Sequence, residues 1–333
     1  MMILSVLSCS STGMKRHTTD INLLRFSRET IVRIRKEMSL LDLHSTPDYS
    51  DYVLKYFSYY GINFDDTEHH FGYFYSGEYR LAGHVFLNER NRGTVIVLHG
   101  LLDHSGLNAL TYRYFLENGY NVAAFDLPGH GFSEGARGDI EDFESYGKAI
   151  HDFVRLLRPK LGPATYLFGH SAGCSAILEY LYNYHNEVTR SVFAAPLIRS
   201  RHWGVSIAAA RVASMFVDRV ERRLDGTSNN PDFVDFVEHR DPLSLRYLQL
   251  SWVRALAEWD RRNRRYGKLD HDLVVLQGTD DNTLNVSYNL KYLKRRFVDV
   301  EVHRIERGSH TILNDSPETM FRVFQILDTY FAG

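Results

Sequence analysis

The sequence predicts an α/β protein in which a mostly parallel central sheet carries helices on both faces and is interrupted by an inserted helical cap. Three observations lead to it. Apolar runs of strand length alternate with amphipathic helical stretches from Arg80 to Ala195 and again from Leu273 onward, the order that a parallel sheet covered on both sides produces. Residues with reactive side chains stand directly after those runs, where the carboxyl ends of parallel strands meet. Between Pro196 and Lys268 the alternation stops and only helical spacing remains. The chain therefore divides into an N-terminal extension with an amphipathic helix (1–65), a first part of the core (66–195), the cap (196–268) and a second part of the core (269–333).

In chain order, Ile21, Leu24, Ile31, Ile34, Met38 and Leu41 recur at helical spacing, with Arg25, Arg28, Arg33, Arg35 and Lys36 between them. Such a helix can lie on an anionic membrane as a peripheral contact. Packing the stripe on the domain is the commoner use, and Glu29, Glu37 and Asp42 dilute the charge. Asp51 to Tyr60 is a short aromatic helix stopped at Gly61. Arg80 to Leu87 and Gly93 to Leu98 are strands, the second a Thr-Val-Ile-Val-Leu run suited to a buried position. Leu107 to Asn118 is a helix closed by Gly119, Tyr120 to Leu127 a strand, and Ile140 to Leu157 a helix with Phe143, Tyr146, Ile150, Phe153 and Leu157 on one face. Thr165 to Phe168 is a strand, Cys174 to Tyr184 a helix and Arg190 to Ala195 the next strand. In the cap, Val205, Ala209, Val212, Phe216 and Val220 share one helical spacing, and Leu245, Leu248, Trp252, Leu256 and Trp259 share another. Beyond it, Leu273 to Leu276 and Val300 to Ile305 are strands, and Val286 to Phe297 and Pro317 to Phe331 are helices.

Composition narrows the function. With 333 residues, 44% hydrophobic and 24% charged, the chain can bury one large core plus an insertion. A net charge of −2 supplies no global field for nucleic acid. The two cysteines, Cys9 and Cys174, predict no structural disulfide, and a cytoplasmic location follows as the expectation. No apolar run reaches the roughly 18 to 20 residues of a spanning helix. Met2 to Cys9 resembles the end of a lipoprotein signal, which would anchor the chain through Cys9; a start at Met14 is the alternative. No dinucleotide fingerprint, phosphate loop or zinc-type spacing occurs, so no cofactor or metal is expected; His99, His104 and His130 sit in glycine-bordered loops where they bond backbone.

The chemistry centres on Gly169-His170-Ser171-Ala172-Gly173, which joins a strand to a helix. G-x-S-x-G in that context is a nucleophile elbow, a turn sharp enough to lift the serine hydroxyl above the sheet edge. A serine hydroxyl attacks a carbonyl only with a base beside it, and the base needs an orienting acid. Ser171, then Asp281 or Asp280, then His310 follow in that order, each after a strand. The developing oxyanion needs two donors, for which the N–H groups of Ala172 and Leu101 are the candidates, with Gly100 permitting the approach. Gly100, Leu102 and the cap tryptophans Trp203 and Trp252 are the candidate substrate contacts.

The stretches Leu98-His99-Gly100, His104-Ser105-Gly106, Asp126-Leu127-Pro128-Gly129-His130-Gly131-Phe132-Ser133-Glu134-Gly135 and GHSAG together resemble the monoglyceride lipase and lysophospholipase branch of the α/β-hydrolases, of the serine aminopeptidase type. The resemblance covers about Thr94 to Phe193 and Leu273 to Ile312. It implies a serine hydrolase that cleaves one acyl ester from a monoacylglycerol or lysophospholipid beneath a cap offering an acyl tunnel. By position, Ser171, Asp281 and His310 match the triad, and Leu101 and Ala172 the oxyanion donors. The branch often has an arginine directly after H-S-G, near the alcohol end of the pocket; here it is Leu107. The cap's aromatic and basic residues suit an acyl chain with an anionic head group and incline the reading towards lysophospholipid. Alternatives are a carboxylesterase for small soluble esters, an acyltransferase, a peptidase, or a non-catalytic ligand-binding protein on the same fold.

Overall fold

The computed structural model describes residues 26–331 except Asp66, residues 185–187 and Arg223. The signal-like Met2 to Cys9, the alternative start at Met14, the beginning of the first expected helix (Ile21 to Arg25) and Arg223 lie outside the described residues.

Two helices lead into the core. The first, α1 (Arg28–Glu37), starts where the Ser27 hydroxyl accepts the Thr30 N–H; α2 (Asp51–Tyr60) ends at Gly61 with a left-handed backbone. The apolar stripe of α1 is turned inward, with Ile31 and Ile34 buried in a cluster that includes Val53, Tyr56 and Phe57 of α2. That face is therefore taken up by the domain rather than left for a lipid surface.

The core elements follow as β1 (Glu68–Ser76), β2 (Tyr79–Leu87), β3 (Thr94–Leu98), α3 (Ala109–Glu117), β4 (Asn121–Phe125), α4 (Glu144–Leu157), β5 (Thr165–His170), α5 (Ala172–Asn183) and β6 (Arg190–Ala194). After the cap come β9 (Leu269–Gly278), α9 (Val286–Arg296), β10 (Phe297–Ile305) and α10 (Pro317–Phe331). The described strands build an eight-stranded sheet in the order β1-β2-β4-β3-β5-β6-β9-β10. β2 pairs antiparallel with β1 and with β4, and every other pairing is parallel. Helices cover both faces of this mostly parallel sheet, the α/β architecture expected. β1 is the strand that periodicity misses: its middle residues are buried on both faces, so no alternation marks it. Its free edge is closed by Ser39 and Leu41, which exchange backbone bonds with Tyr73.

Within the inserted region lie α6 (Trp203–Ala213), β7 (Arg219–Glu221), α7 (Pro231–Asp235), β8 (Tyr247–Gln249) and α8 (Leu250–Asn263). Here the helical expectation is too long at both sites. Phe216 lies beyond the end of α6, Val220 is in β7, and Leu245 and Leu248 precede α8. The cause is a non-local pairing: Val220 faces Leu248 in a two-stranded antiparallel ribbon, and the Leu250 N–H bonds the Asp218 carbonyl. Three-residue strands are too short to impose a period on the sequence.

The cap is bonded to the core through charge and indole. Arg262 reaches Asp142, Glu144 and the buried Glu179, and Trp259 Nε1–H donates to Glu179 at 2.8 Å. Within the inserted region itself, Arg199 makes a two-point contact with Asp260. Trp252 Nε1–H donates to the Tyr146 hydroxyl at 3.0 Å.

Below the cap, Asp126 at the end of β4 joins the loops that follow β3 and β4. It is fully buried and accepts from Ser105 N–H at 2.8 Å, Ser105 Oγ–H at 2.6 Å and Phe132 N–H at 2.7 Å. Burial alone would raise its carboxyl, but His104, His99 and the Ser105 bonds outweigh that and hold it at about 2. Asp126→Ala would strand buried N–H donors, so a loss of about 2–5 kcal/mol is expected in urea unfolding. Because the folded value is depressed, the carboxylate stabilises the fold above its unfolded value of 3.8, and that contribution is lost as pH falls through about 2. The difference in urea midpoint between wild type and Asp126→Asn should therefore shrink within that window; a pH-independent difference would contradict the assignment.

Candidate active site

Strand β5 delivers His170 to the carboxyl edge of the sheet, and the next residue turns the chain into α5. Ser171 has φ 52° and ψ −113°, a backbone conformation that costs a non-glycine residue about 1–3 kcal/mol. Its neighbours enforce it. Ser171 N–H bonds the Ala194 carbonyl of β6, and the Ser171 carbonyl accepts from Cys174 and Leu197. A Cβ on Gly169 would stand 2.8 Å from Cys174 N, and one on Gly173 2.5 Å from the Leu98 carbonyl oxygen. Both glycines are therefore required by close backbone approach.

Three loops meet at the serine. His310, after β10, places Nε2 3.0 Å from Ser171 Oγ and Nδ1 3.0 Å from Asp281 Oδ2. Asp281, after β9, also accepts from Gln277 Nε2, Thr283 N–H and Leu284 N–H. Burial opposes its charge, yet His310 and these donors outweigh burial and hold the carboxyl at about 2. An ionised Asp281 takes the Nδ1–H of His310, leaving Nε2 as the acceptor for the serine proton. Asp280 is exposed and its carboxylate accepts from the Thr279 hydroxyl, so the structure brings Asp281, not Asp280, to His310.

On the other side of Ser171, Gly100 and Leu101 line the same cavity. Ala172 opens α5, so its N–H is among those a helix leaves without an intrahelical acceptor, and no acceptor among the described residues takes the Leu101 N–H. Leu102 behaves differently from the expectation that it touches substrate. Its φ of 65° turns it away: its N–H donates to His130 Nε2 and its carbonyl accepts from Arg222 and from Leu245 N–H. Leu102 is absent from the cavity wall for that reason.

The cavity has a volume of about 510 Å³ and is lined by Ser171 and His310 together with apolar residues that include Trp203, Ile207, Ala210, Leu248, Trp252 and Leu256. Both candidate tryptophans therefore face it, Trp252 through its ring because its N–H is held by Tyr146. Among the described residues Arg222 is the one arginine or lysine that lines the cavity, and it is paired with Asp103 at 2.7 Å. Burial alone would raise the Asp103 carboxyl, and Arg222 leads the charges that lower it. Three other cap arginines are engaged elsewhere: Arg199 with Asp260, Arg262 with core carboxylates and Arg201 with Asn282.

Sequence reasoning misses His170, Asp103, Arg222 and Thr227, all on the cavity wall. His170 donates Nε2–H to the His310 carbonyl at 3.1 Å and is held neutral, burial and His310 pushing its pKa down to about 4. Its position inside GHSAG was a usable signal, as was that of Asp103 between H-G and H-S-G; the cap residues have no motif around them. Among the described residues no three His, Cys, Asp or Glu side chains converge to hold a metal ion. The cluster can generate a serine nucleophile, stabilise an oxyanion and accommodate an apolar chain. Modification of Ser171 by a small fluorophosphonate should slow by about 10³–10⁴ in Asp281→Asn and stay within about twofold in Asp280→Asn. Equal slowing in both would show that the acid is misassigned.

Comparisons with known proteins agree with this architecture. A family model described as serine aminopeptidase, S33, matches residues 89–317. Phospholipase YtpA of Bacillus subtilis (strain 168) is 22% identical over 244 residues, covering 69% of this chain and 92% of that protein. Caffeoylshikimate esterase of Arabidopsis thaliana is 35% identical over 246 residues, covering 68% of this chain and 73% of that protein. Among solved structures, the monoacylglycerol lipase of Paleococcus ferrophilus superposes with a TM-score of 0.65 at 23% identity, covering 77% of this chain and 99% of its own. The chain is an α/β-hydrolase and belongs to the family described as serine aminopeptidase, S33.

Proposed function

We propose that the protein hydrolyses the carboxylic ester of a monoacyl lipid through an acyl-enzyme on Ser171. The observation that carries this reading is that Ser171 and His310, the latter bonded to Asp281, line a mostly apolar cavity of about 510 Å³. His310 takes the proton from Ser171 Oγ as the hydroxyl attacks the ester carbon, and the imidazolium that forms is stabilised by Asp281. The Leu101 and Ala172 N–H groups receive the oxyanion. Collapse of the tetrahedral intermediate transfers the His310 proton to the leaving alcohol, and water then repeats the sequence on the acyl-serine.

Two features favour a lipid over a small soluble ester. The lining is predominantly apolar, and α6, whose inner side forms part of it, leaves Val205 and Val212 exposed on the outside, followed by exposed Met215 and Phe216. On the cavity wall Arg222 and Asp103 balance each other, so an uncharged alcohol such as glycerol fits better than a phosphate-bearing head group. This favours monoacylglycerol, whereas the cap's aromatic and basic residues in the sequence incline the reading towards lysophospholipid. The likeness to a phospholipase and an esterase supports ester chemistry without choosing the head group.

Incubation with a mixed lipid extract, followed by mass spectrometry of the products, should show free fatty acid released chiefly from monoacylglycerol, and none from Ser171→Ala. Release of alcohols from short esters alone would replace the lipid reading with the carboxylesterase one. Ala210→Trp narrows the cavity and should move the preferred acyl chain to shorter lengths, with a loss of about tenfold or more on the longest substrate; an unchanged chain-length profile would show that the acyl group lies elsewhere.

A further inference from the structure

One short piece of the cap touches both halves of the reaction centre. It begins at Arg222, whose N–H bonds the Arg246 carbonyl, and continues through residues 224–229. At its start, Arg222 donates Nη1–H to the Leu102 carbonyl at 3.0 Å and Nη2–H to Asp103 Oδ1 at 2.7 Å. These are the residues directly after Leu101 in the loop that carries one oxyanion donor. Near its end the Thr227 carbonyl accepts from Thr311 N–H at 2.7 Å and lies 2.9 Å from Ser309 Oγ, whose single proton it shares with Asp315. Ser309 and Thr311 are the two chain neighbours of His310. Asn229 completes the link: its N–H bonds Asp315 Oδ1 at 3.1 Å and its side-chain amide bonds the Arg307 carbonyl at 2.8 Å. Asp315 in turn accepts from Ser309 N–H at 2.7 Å and Ser309 Oγ–H at 2.6 Å.

We propose that this strap positions the oxyanion loop and the His310 loop against each other, with Arg222 and Asn229 as its two positioning residues. The inference rests on the reading of Ser171 as nucleophile and adds to it the element that sets the distance between donor and base. Arg222, Leu224 and Thr227 also line the cavity, so a chain bound there presses on the segment that holds both loops. Cavity occupancy is thereby linked to turnover and not only to binding. The length scale is demanding: a misplacement of about 1 Å at a reaction centre lowers rates by about 10²-fold. Arg222 is suited to the first contact because its planar fork aims two N–H groups in fixed directions, one at a carbonyl and one at a carboxylate, whereas a lysine ammonium is a point charge with rotating donors.

The test uses Arg222→Met, Arg222→Lys, Asn229→Ala and the Arg222→Met/Asn229→Ala double variant of the full chain. On a short activated ester, kcat should fall about 10- to 100-fold in Arg222→Met with KM within about threefold, less in Arg222→Lys and Asn229→Ala, and most in the double variant. Amide hydrogen exchange supplies a readout independent of turnover. Protection of Leu102, Asp103, Ser309 and Thr311, whose N–H groups are all bonded in the wild type, should drop in the variants while that of β5 and β9 is retained. Retained β5 and β9 protection separates a loosened strap from a misfolded chain, and if Arg222→Met fails that control, Arg222→Lys and Asn229→Ala decide. Unchanged kcat with lost loop protection, or unchanged loop protection, would overturn the strap. A wild type that neither turns over the ester nor reacts with fluorophosphonate would instead overturn the nucleophile assignment, and the exchange profile then judges the strap alone.

Discussion

The left-handed turn at Ser171 is the constraint around which the carboxyl edge of the sheet is arranged. A backbone in that conformation persists only where its surroundings over-determine it. Here β6 takes the Ser171 N–H through Ala194, and α5 starts so close to β3 that Gly173 leaves no room for a Cβ against the Leu98 carbonyl. The same contact has a chemical consequence. Because α5 is pressed against the end of β3, the loop that leaves Leu98 runs past the serine, and Leu101 shares a cavity wall with it. Steric closeness at two glycines thus places Ser171 and the loop after β3 together before any side chain of the cap is involved.

Around that turn, burial and charge are sorted by residue type. His99, His130 and His170 are buried and lowered, His130 to about 3 and His170 to about 4, with burial the largest cause in each. Their tautomers are set by backbone partners: His99 donates to the Gly100 carbonyl and accepts from Leu127 N–H, and His130 donates to the Pro128 carbonyl and accepts from Leu102 N–H. His104 differs, since Asp241 of the inserted region stands 3.0 Å away and overcomes burial to raise it. Neutral imidazoles therefore support the loops, while the ionised carboxylates Asp126 and Asp281 accept the remaining buried donors. Such networks are costly when half satisfied and rigid when complete, which suits loops that must hold a reaction centre to fractions of an ångström.

The cap's arginines illustrate how composition can mislead about function. Counted along the chain they suggest a basic surface over the site; in three dimensions most of those discussed face carboxylates of the core or of the cap itself. Arg262 lies against Asp142, Glu144 and Glu179, Arg199 against Asp260, and Arg222 against Asp103. Their work is adhesion and positioning. The cavity beside Ser171 is mostly apolar, and the arginine that lines it among the described residues is paired with Asp103.

Much of this protein was legible in its residue order. The alternation of apolar runs with helical stretches predicts the parallel core, because strand and helix periods are local properties of a chain. GHSAG, the residues after β9 and β10, and the glycine-bordered loop after β3 point to the candidate reacting groups, because each must sit at a strand end to be aimed at the same point. Local pattern could not show β1, whose strand is buried on both faces, nor the β7–β8 ribbon, which exists only through pairing residues far apart in sequence. Nor could it choose between Asp280 and Asp281, since a one-residue step reverses a side chain's direction, and direction was decided by Gln277, Thr283, Leu284 and His310 closing on one carboxylate. The strap from Arg222 to Asn229 bears no motif at all. Sequence by itself determined the fold class and named the candidate reacting groups, which depend on local period and residue type; tertiary structure alone decided which aspartate stands beside His310 and which carboxylates the cap arginines face, because those depend on distances between segments that the chain order does not encode.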